Sequence, residues 1–215
     1  MNYTKAYPKI IGLTGAIASG KNAVAQIFSK QAIEVFDADL IVHDLYQKNS
    51  FLIGEIEKLY PQTIVNKAVD RNILAKLINN SPAILQNIEN LVHPVVFQKY
   101  QEFLDENRQK NAKLAILNIP LLQENNNYKT DIIIAVIANK DLRLMRYLKR
   151  ENKNFSADET QHINFLTNKF ILLNQKQLSD EERIKNANYI IYNQGNFSDL
   201  EAQVHLIYQQ ILQNL

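Results

Sequence analysis

The heptapeptide Gly15-Ala16-Ile17-Ala18-Ser19-Gly20-Lys21 has the spacing G-x-x-x-x-G-K, and that spacing suits a polyphosphate. Glycines permit backbone angles that other residues resist, so successive N–H groups can converge on anionic oxygens. A helix starting at the end of the loop adds the positive end of its dipole, and Lys21 adds a full charge. The next residue in this pattern is usually Ser or Thr, whose hydroxyl ligates Mg²⁺; here it is Asn22. An amide oxygen can also ligate a hard cation. It lies one bond further from the backbone, so the metal or the chain has to shift to meet it.

Phosphoryl transfer also needs neutralised charge and an aligned acceptor oxygen. Arg146 and Arg150 are four residues apart, so on a helix they share a face and can aim two guanidinium groups into one phosphate-binding cleft. The alternative is a solvated basic face, since Arg143 and Lys149 are close by. Asp37-Ala38-Asp39 closes a short apolar run. At the carboxyl end of a strand beside a phosphate loop, a carboxylate sits where ligands of open parallel sheets bind. Either aspartate could instead cap the following helix. His93 precedes Pro94 at an expected helix start, as an acceptor contact or as a structural residue. His43, His162 and His205 show no metal-ligand pairing and read as surface residues.

These groups need a scaffold, and the chain supplies alternating elements. Ile10–Thr14 is a short apolar run before the loop, and helix-forming residues resume at Lys21, giving strand, glycine loop, helix. Ala32–Phe36 predicts a second strand and Leu40–Tyr46 a helix. From Phe51 to about Arg108 the pattern predicts helices and no strand, one of them opening at Ser81-Pro82. Strands return at Lys113–Asn118 and Asp131–Ile137, then a basic helix over Asp141–Glu151. Ser156 with Glu159 and Ser179 with Glu182 have capping-box spacing. A fifth strand spans Asn188–Tyr192. Ser198-Asp199-Leu200-Glu201 is expected to cap a last helix with the apolar stripe Leu200, Val204, Ile207, Ile211 and Leu215. Parallel neighbours need crossover connections, so five strands alternating with helices predict a parallel, helix-flanked α/β sheet.

Composition narrows the setting. With 46 % apolar and 21 % charged residues the chain lies far from the signature of disorder. A formal net charge of +2 creates no field that argues for nucleic acid or an anionic membrane as partner. The absence of cysteine removes disulfides, thiolate metal sites and thiol nucleophiles, and suits a reducing compartment. Met1–Lys9 lacks the apolar region of a secretory signal, and no run approaches the roughly 18 apolar residues of a membrane span. A cytoplasmic protein is the expectation.

Several segments, in order, resemble the dephospho-coenzyme A kinases. Ile11–Lys21 followed by Val35-Phe36-Asp37-Ala38-Asp39 resembles the start of that family. Asp70-Arg71, Leu91-Val92-His93-Pro94 and Ile119-Pro120-Leu121-Leu122-Gln123-Glu124 look like its later motifs. Arg146 with Arg150, Gln177, and Ala187–Gly195 look like its lid arginines and closing segment. The resemblance runs from residue 10 to about 200. It implies a P-loop NTPase fold with a five-stranded parallel sheet. The core would cover about 9–50, 111–150 and 187–215, with a helical CoA-binding insertion at about 51–110 and a helical lid at about 146–180.

The same resemblance implies ATP and Mg²⁺ as cofactors and phosphorylation of the ribose 3′-hydroxyl of dephospho-CoA. Gly15, Ala18, Ser19, Gly20, Lys21, Asn22, Ala23 and Arg150 would bind ATP. Asp39, Lys21 and Arg146 would be catalytic, with Asp39 as general base or orienting carboxylate. Asp37, Asp39, His93, Pro120 and Leu121 would meet the acceptor, and Asn22 and Asp37 the metal. Dephospho-CoA and ATP are the expected partners, with no nucleic acid or membrane and a monomer or weak homo-oligomer. Departures from the family pattern are Asn22, alanine instead of glycine at 16 and 18, a longer stretch between Arg150 and Gln177, and Leu173 near the place of an arginine. The two alanines predict ordinary backbone angles at both positions. Another small-molecule or nucleoside monophosphate kinase, or a nucleotide-binding regulator without catalysis, shares the loop and stands as the alternative.

Overall fold

The computed structural model describes residues 7–119, 128–151 and 159–215, which fall into two compact units. The larger comprises 8–35 and 113–215, and the smaller Phe36–Ala112 with Tyr7.

The larger unit is built on a five-stranded sheet, one edge strand of which runs on into Phe36 and Asp37, the first two residues of the 36–112 segment. Its strands are β1 (Lys9–Thr14), β2 (Glu34–Asp37), β5 (Leu114–Asn118), β6 (Ile132–Ile137) and β7 (Tyr189–Tyr192), in the order β2-β5-β1-β6-β7. β1 lies parallel to β5, with Ile11 opposite Ile116, and parallel to β6, with Leu13 opposite Ile134; β6 pairs in parallel with β7. All five residues of β5 are buried, the near-continuous apolar run expected of a strand covered on both faces. Alternate residues of one face (Ile11, Leu13, Leu114, Ile116, Ile134, Val136, Ile191) pack against helix α1 (Lys21–Lys30) and helix α9 (Phe197–Gln213). From α9 this core takes Leu200, Val204, Ile207 and Ile211. Burial of each is worth about 1.5–3 kcal/mol, enough to hold the helix in place. Leu215, the last member of the predicted stripe, is exposed.

Helices α6 (Lys140–Glu151), α7 (Glu159–Gln175) and α8 (Asp180–Lys185) belong to the same unit. Tyr147, Leu166 and Phe170 form a separate small core against which Ile17 and Ala18 of the loop pack. Ser179 and Glu182 form the expected box at the start of α8. The box of α9 is instead Asn196 with Asp199, two residues before the predicted one, because Asn is as good a cap as Ser. Ser156 lies outside the described residues.

The smaller unit is mainly helical: α2 (Ala38–Lys48), α3 (Ser50–Leu59), α4 (Arg71–Asn80) and α5 (Pro82–Gln109). The prediction of no strand here is corrected by a short antiparallel hairpin, β3 (Ile64–Val65) with β4 (Ala68–Val69). Two-residue strands carry no readable periodicity. The turn between them has Asn66 at φ 50° and Lys67 at φ 63°, the mirror-image geometry that matches strand twist. Asp70 caps α4 by accepting the backbone N–H groups of Asn72 and Ile73. Ser81 stands at the N-cap of α5 without a side-chain cap bond.

Candidate active site

The loop after β1 owes its shape to close approaches. A side chain on Gly15 would put its first carbon 2.6 Å from the Val136 carbonyl oxygen and 2.5 Å from Ser19 Oγ. Gly20 caps α1 at φ 104°, and a Cβ there would lie 2.1 Å from Asn193 Nδ2. Both glycines are therefore sterically required. The Ser19 N–H closes the loop by donating to the Ala16 carbonyl at 3.0 Å. Lys21 Nζ donates to the Gly15 carbonyl at 2.7 Å, folding its charge back over the loop. Ala18 has φ 60°, which corrects the expectation of ordinary angles at that residue: the left-handed conformation costs an L-residue roughly 1–2 kcal/mol. The packing of Ala18 against the small α6–α7 core offsets part of that cost. Ser19 Oγ is buried and has no hydrogen-bond partner among the described residues. A buried hydroxyl in that state favours a polar ligand in the loop.

Three residues from later in the chain hold the loop from outside. Asn193, at the end of β7, donates from Nδ2 to the Ser19 carbonyl at 2.8 Å. Its own carbonyl and Oδ1 accept Arg146 Nη2 at 3.1 and 3.2 Å, while Arg146 Nη1 reaches the Ser19 carbonyl at 3.4 Å. Gln177 accepts the backbone N–H of Ile17 at 2.8 Å. Burial lowers the Arg146 pKa, yet a guanidinium starts so high that it stays charged.

Beneath the loop, Arg183 of α8 is fully buried and donates to Thr14 Oγ1 at 2.6 Å. Arg143 is also buried. It donates to the Ala138 carbonyl at 3.0 Å and to Asn174 Oδ1 at 2.6 Å, and its guanidinium lies 5.8 Å from the Phe170 ring centre. Burial lowers the Arg143 pKa, and the Asp180 carboxylate opposes it. Burial raises the pKa of Asp180 itself, offset in part by Arg143 and Arg183. Arg143, expected as part of a solvated basic face, is excluded from such a face by its burial. Nothing in the acidic run Asp180-Glu181-Glu182 marks Arg183 as an interior residue.

The predicted pair of lid arginines separates. Arg146 joins the loop, whereas Arg150 is more than half exposed, bonded to Glu151 at 2.9 Å and stacked 5.4 Å from the Tyr147 ring. Asp37 caps α2 by accepting the Leu40 N–H at 3.1 Å, and Asp39 is exposed in the first turn of that helix. His93 does not stand at a helix start. It is exposed mid-way along α5, where Pro94 continues the helix. His43 and His205 are exposed as expected, but His162 is half-buried, drawn inward on α7. Pro120 and Leu121 lie outside the described residues.

The position after Lys21 is tied to a residue that the sequence did not single out. Asn118, buried at the carboxyl end of β5, donates from Nδ2 to Asn22 Oδ1 at 3.0 Å. In phosphate-loop enzymes these two places supply a hydroxyl and a carboxylate to Mg²⁺. Here both are uncharged amides, and Asn22 Oδ1 already accepts a hydrogen bond. Among the described residues, no three acidic, His or Cys side chains cluster to hold a metal. This donor set does not fit a metal held by protein charge.

Comparison with known proteins decides the family. The dephospho-CoA kinase family model matches residues 9–199. The chain belongs to the dephospho-CoA kinase family. The dephospho-CoA kinase of Bartonella quintana is 36 % identical over 207 residues, covering 96 % of this chain and 100 % of the relative. That of Bartonella henselae is 34 % identical with the same coverage. A solved Thermus thermophilus structure shares 28 % identity and aligns with a TM-score of 0.75 over 95 % of this chain and 98 % of the other. A Campylobacter jejuni dephospho-CoA kinase, at 24 % identity and TM-score 0.61, covers 95 % and 97 % and has the same fold. Membership makes this chain a kinase with the sheet, loop and helices described above.

Proposed function

We propose that this chain transfers the γ-phosphoryl group of ATP to the ribose 3′-hydroxyl of dephospho-CoA, giving CoA and ADP. The observation that carries this reading is the Arg146 guanidinium at the Ser19 carbonyl of a glycine loop, which brings a fixed positive charge to a nucleus of backbone amides. Little covalent chemistry is needed from the protein in this reaction, so positioning and electrostatics do most of the work.

In this reading the loop from Gly15 to Ala23 binds the ATP phosphates. Lys21 leaves the Gly15 carbonyl to meet the β- and γ-phosphates, and Arg146 stabilises charge on the transferred group. Arg150 turns from Glu151 towards the nucleotide. Asp39 accepts the 3′-hydroxyl proton as the ribose oxygen bonds to the γ-phosphorus and the bond from that phosphorus to the bridging oxygen of ADP breaks. Positioned general bases contribute about 10²–10⁴-fold. Asp37, His93, Pro120 and Leu121 contribute to the acceptor side. Mg²⁺ would be carried by the nucleotide phosphates and offset their charge there, with Asn22 and Asp37 as the nearest candidate contacts rather than a charged protein site.

The substrates are small molecules, and the protein works in the cytoplasm as a monomer or weak homo-oligomer. No helix among the described residues is long and apolar enough to cross a membrane. An assay of ADP release with ATP, run with and without dephospho-CoA, tests the reading. Release that depends on dephospho-CoA is expected, with product phosphorylated at the 3′ position. Release only with a nucleoside monophosphate, or none with any acceptor, would replace the reading with one of its alternatives.

A further inference from the structure

We infer that Asn22 and Asn118 act as one uncharged unit that frees nucleotide binding from dependence on a protein-held divalent cation. The inference rests on the nucleotide reading of the loop and adds to it a property of these two residues. Asn22 follows Lys21 at the start of α1, and Asn118 ends the strand next to β1, so the two sites that flank a bound metal in phosphate-loop enzymes are both occupied by amides. The 3.0 Å bond from Asn118 Nδ2 to Asn22 Oδ1 joins them.

Donor and acceptor fit each other, which is why the two amides act together. A carboxylate at 118 would set an acceptor against the Asn22 oxygen and a negative charge near the polyphosphate. Turning the Asn22 amide would satisfy the acceptor but leave the charge facing the polyphosphate, a repulsion that a cation between the groups relieves. The amide removes that charge and satisfies Asn22 directly. A nucleotide without metal then meets no opposing charge from this pair, and a nucleotide with metal gains no anionic ligand from it.

The test is ADP binding by calorimetry to the full chain, in Mg²⁺ and in EDTA. For the natural protein the two dissociation constants are expected to agree within about threefold. Asn118→Asp is expected to weaken binding in EDTA and to make Mg²⁺ improve it by about tenfold or more, the effect of one restored charge near the phosphates. Asn22→Ser with Asn118→Asp is expected to do the same and guards against a variant that fails only because its acceptors clash. A tenfold Mg²⁺ dependence in the natural protein overturns the inference, as does indifference to Mg²⁺ in both variants when they bind ADP. Absence of ADP binding in either buffer overturns the nucleotide reading itself, and this inference with it.

Discussion

Gln177 accepts the Ile17 N–H at 2.8 Å from a point 160 residues further along the chain. The loop is thus held on its outer limb by the segment between α7 and α8, as well as by β1 and α1. Gln177→Leu leaves a partly buried N–H without its acceptor, a loss of about 1 kcal/mol. Affinity for ATP should fall about fivefold by calorimetry, with the melting temperature lowered by only a few degrees. Unchanged affinity would show that the contact has no part in shaping the loop.

Gly20→Ala should be more severe. Its Cβ would meet Asn193 Nδ2 at 2.1 Å in a backbone conformation that side chains rarely adopt, and relief requires breaking the bond from Asn193 to Ser19. Strain and a lost buried hydrogen bond together predict about 2–3 kcal/mol of destabilisation, measurable by urea unfolding. Nucleotide binding should be lost more completely than stability.

Arg146→Ala removes the guanidinium from Asn193 and Ser19 while sparing the apolar contacts of α6. Turnover should drop at least tenfold, since arginines on transferring phosphoryl groups supply large factors. Arg146→Lys keeps the charge without the planar fork and should recover only part of the rate. Steady-state kinetics with both variants separates charge from geometry.

Asp39→Asn should lower turnover at least tenfold while leaving ATP affinity largely intact. Stability should change little, because Asp39 is exposed and the cap of α2 is Asp37. Natural turnover in this variant would remove Asp39 from the chemistry.

The glycine loop was legible because its message is local: glycines at fixed spacing between an apolar run and a helix. The strands of the larger unit were legible for the same reason, each being short, apolar and bounded by polar residues. What escaped depends on contacts across the chain. Arg183 and Arg143 sit in charged segments that look solvated, and only the assembled unit shows them buried against Thr14 and Phe170. Asn118 closes an apolar run as many strand-ending residues do, and its partnership with Asn22 appears only when β5 lies beside β1. The left-handed Ala18 is not legible in the sequence because a residue type limits backbone angles without fixing them. The β3–β4 hairpin was too short for any periodic signal.

The position of β1 in the sheet bears on how the chain is made. Its partners on either side, β5 and β6, begin at Leu114 and Ile132, so a nascent chain exposes the apolar strand Ile10–Leu13 until the ribosome has passed the whole smaller unit. Contacts so distant in sequence form slowly and leave unpaired edges open to other chains. Truncation before Leu114 should therefore yield aggregating fragments, and growing chains of that length should be ready clients for chaperones.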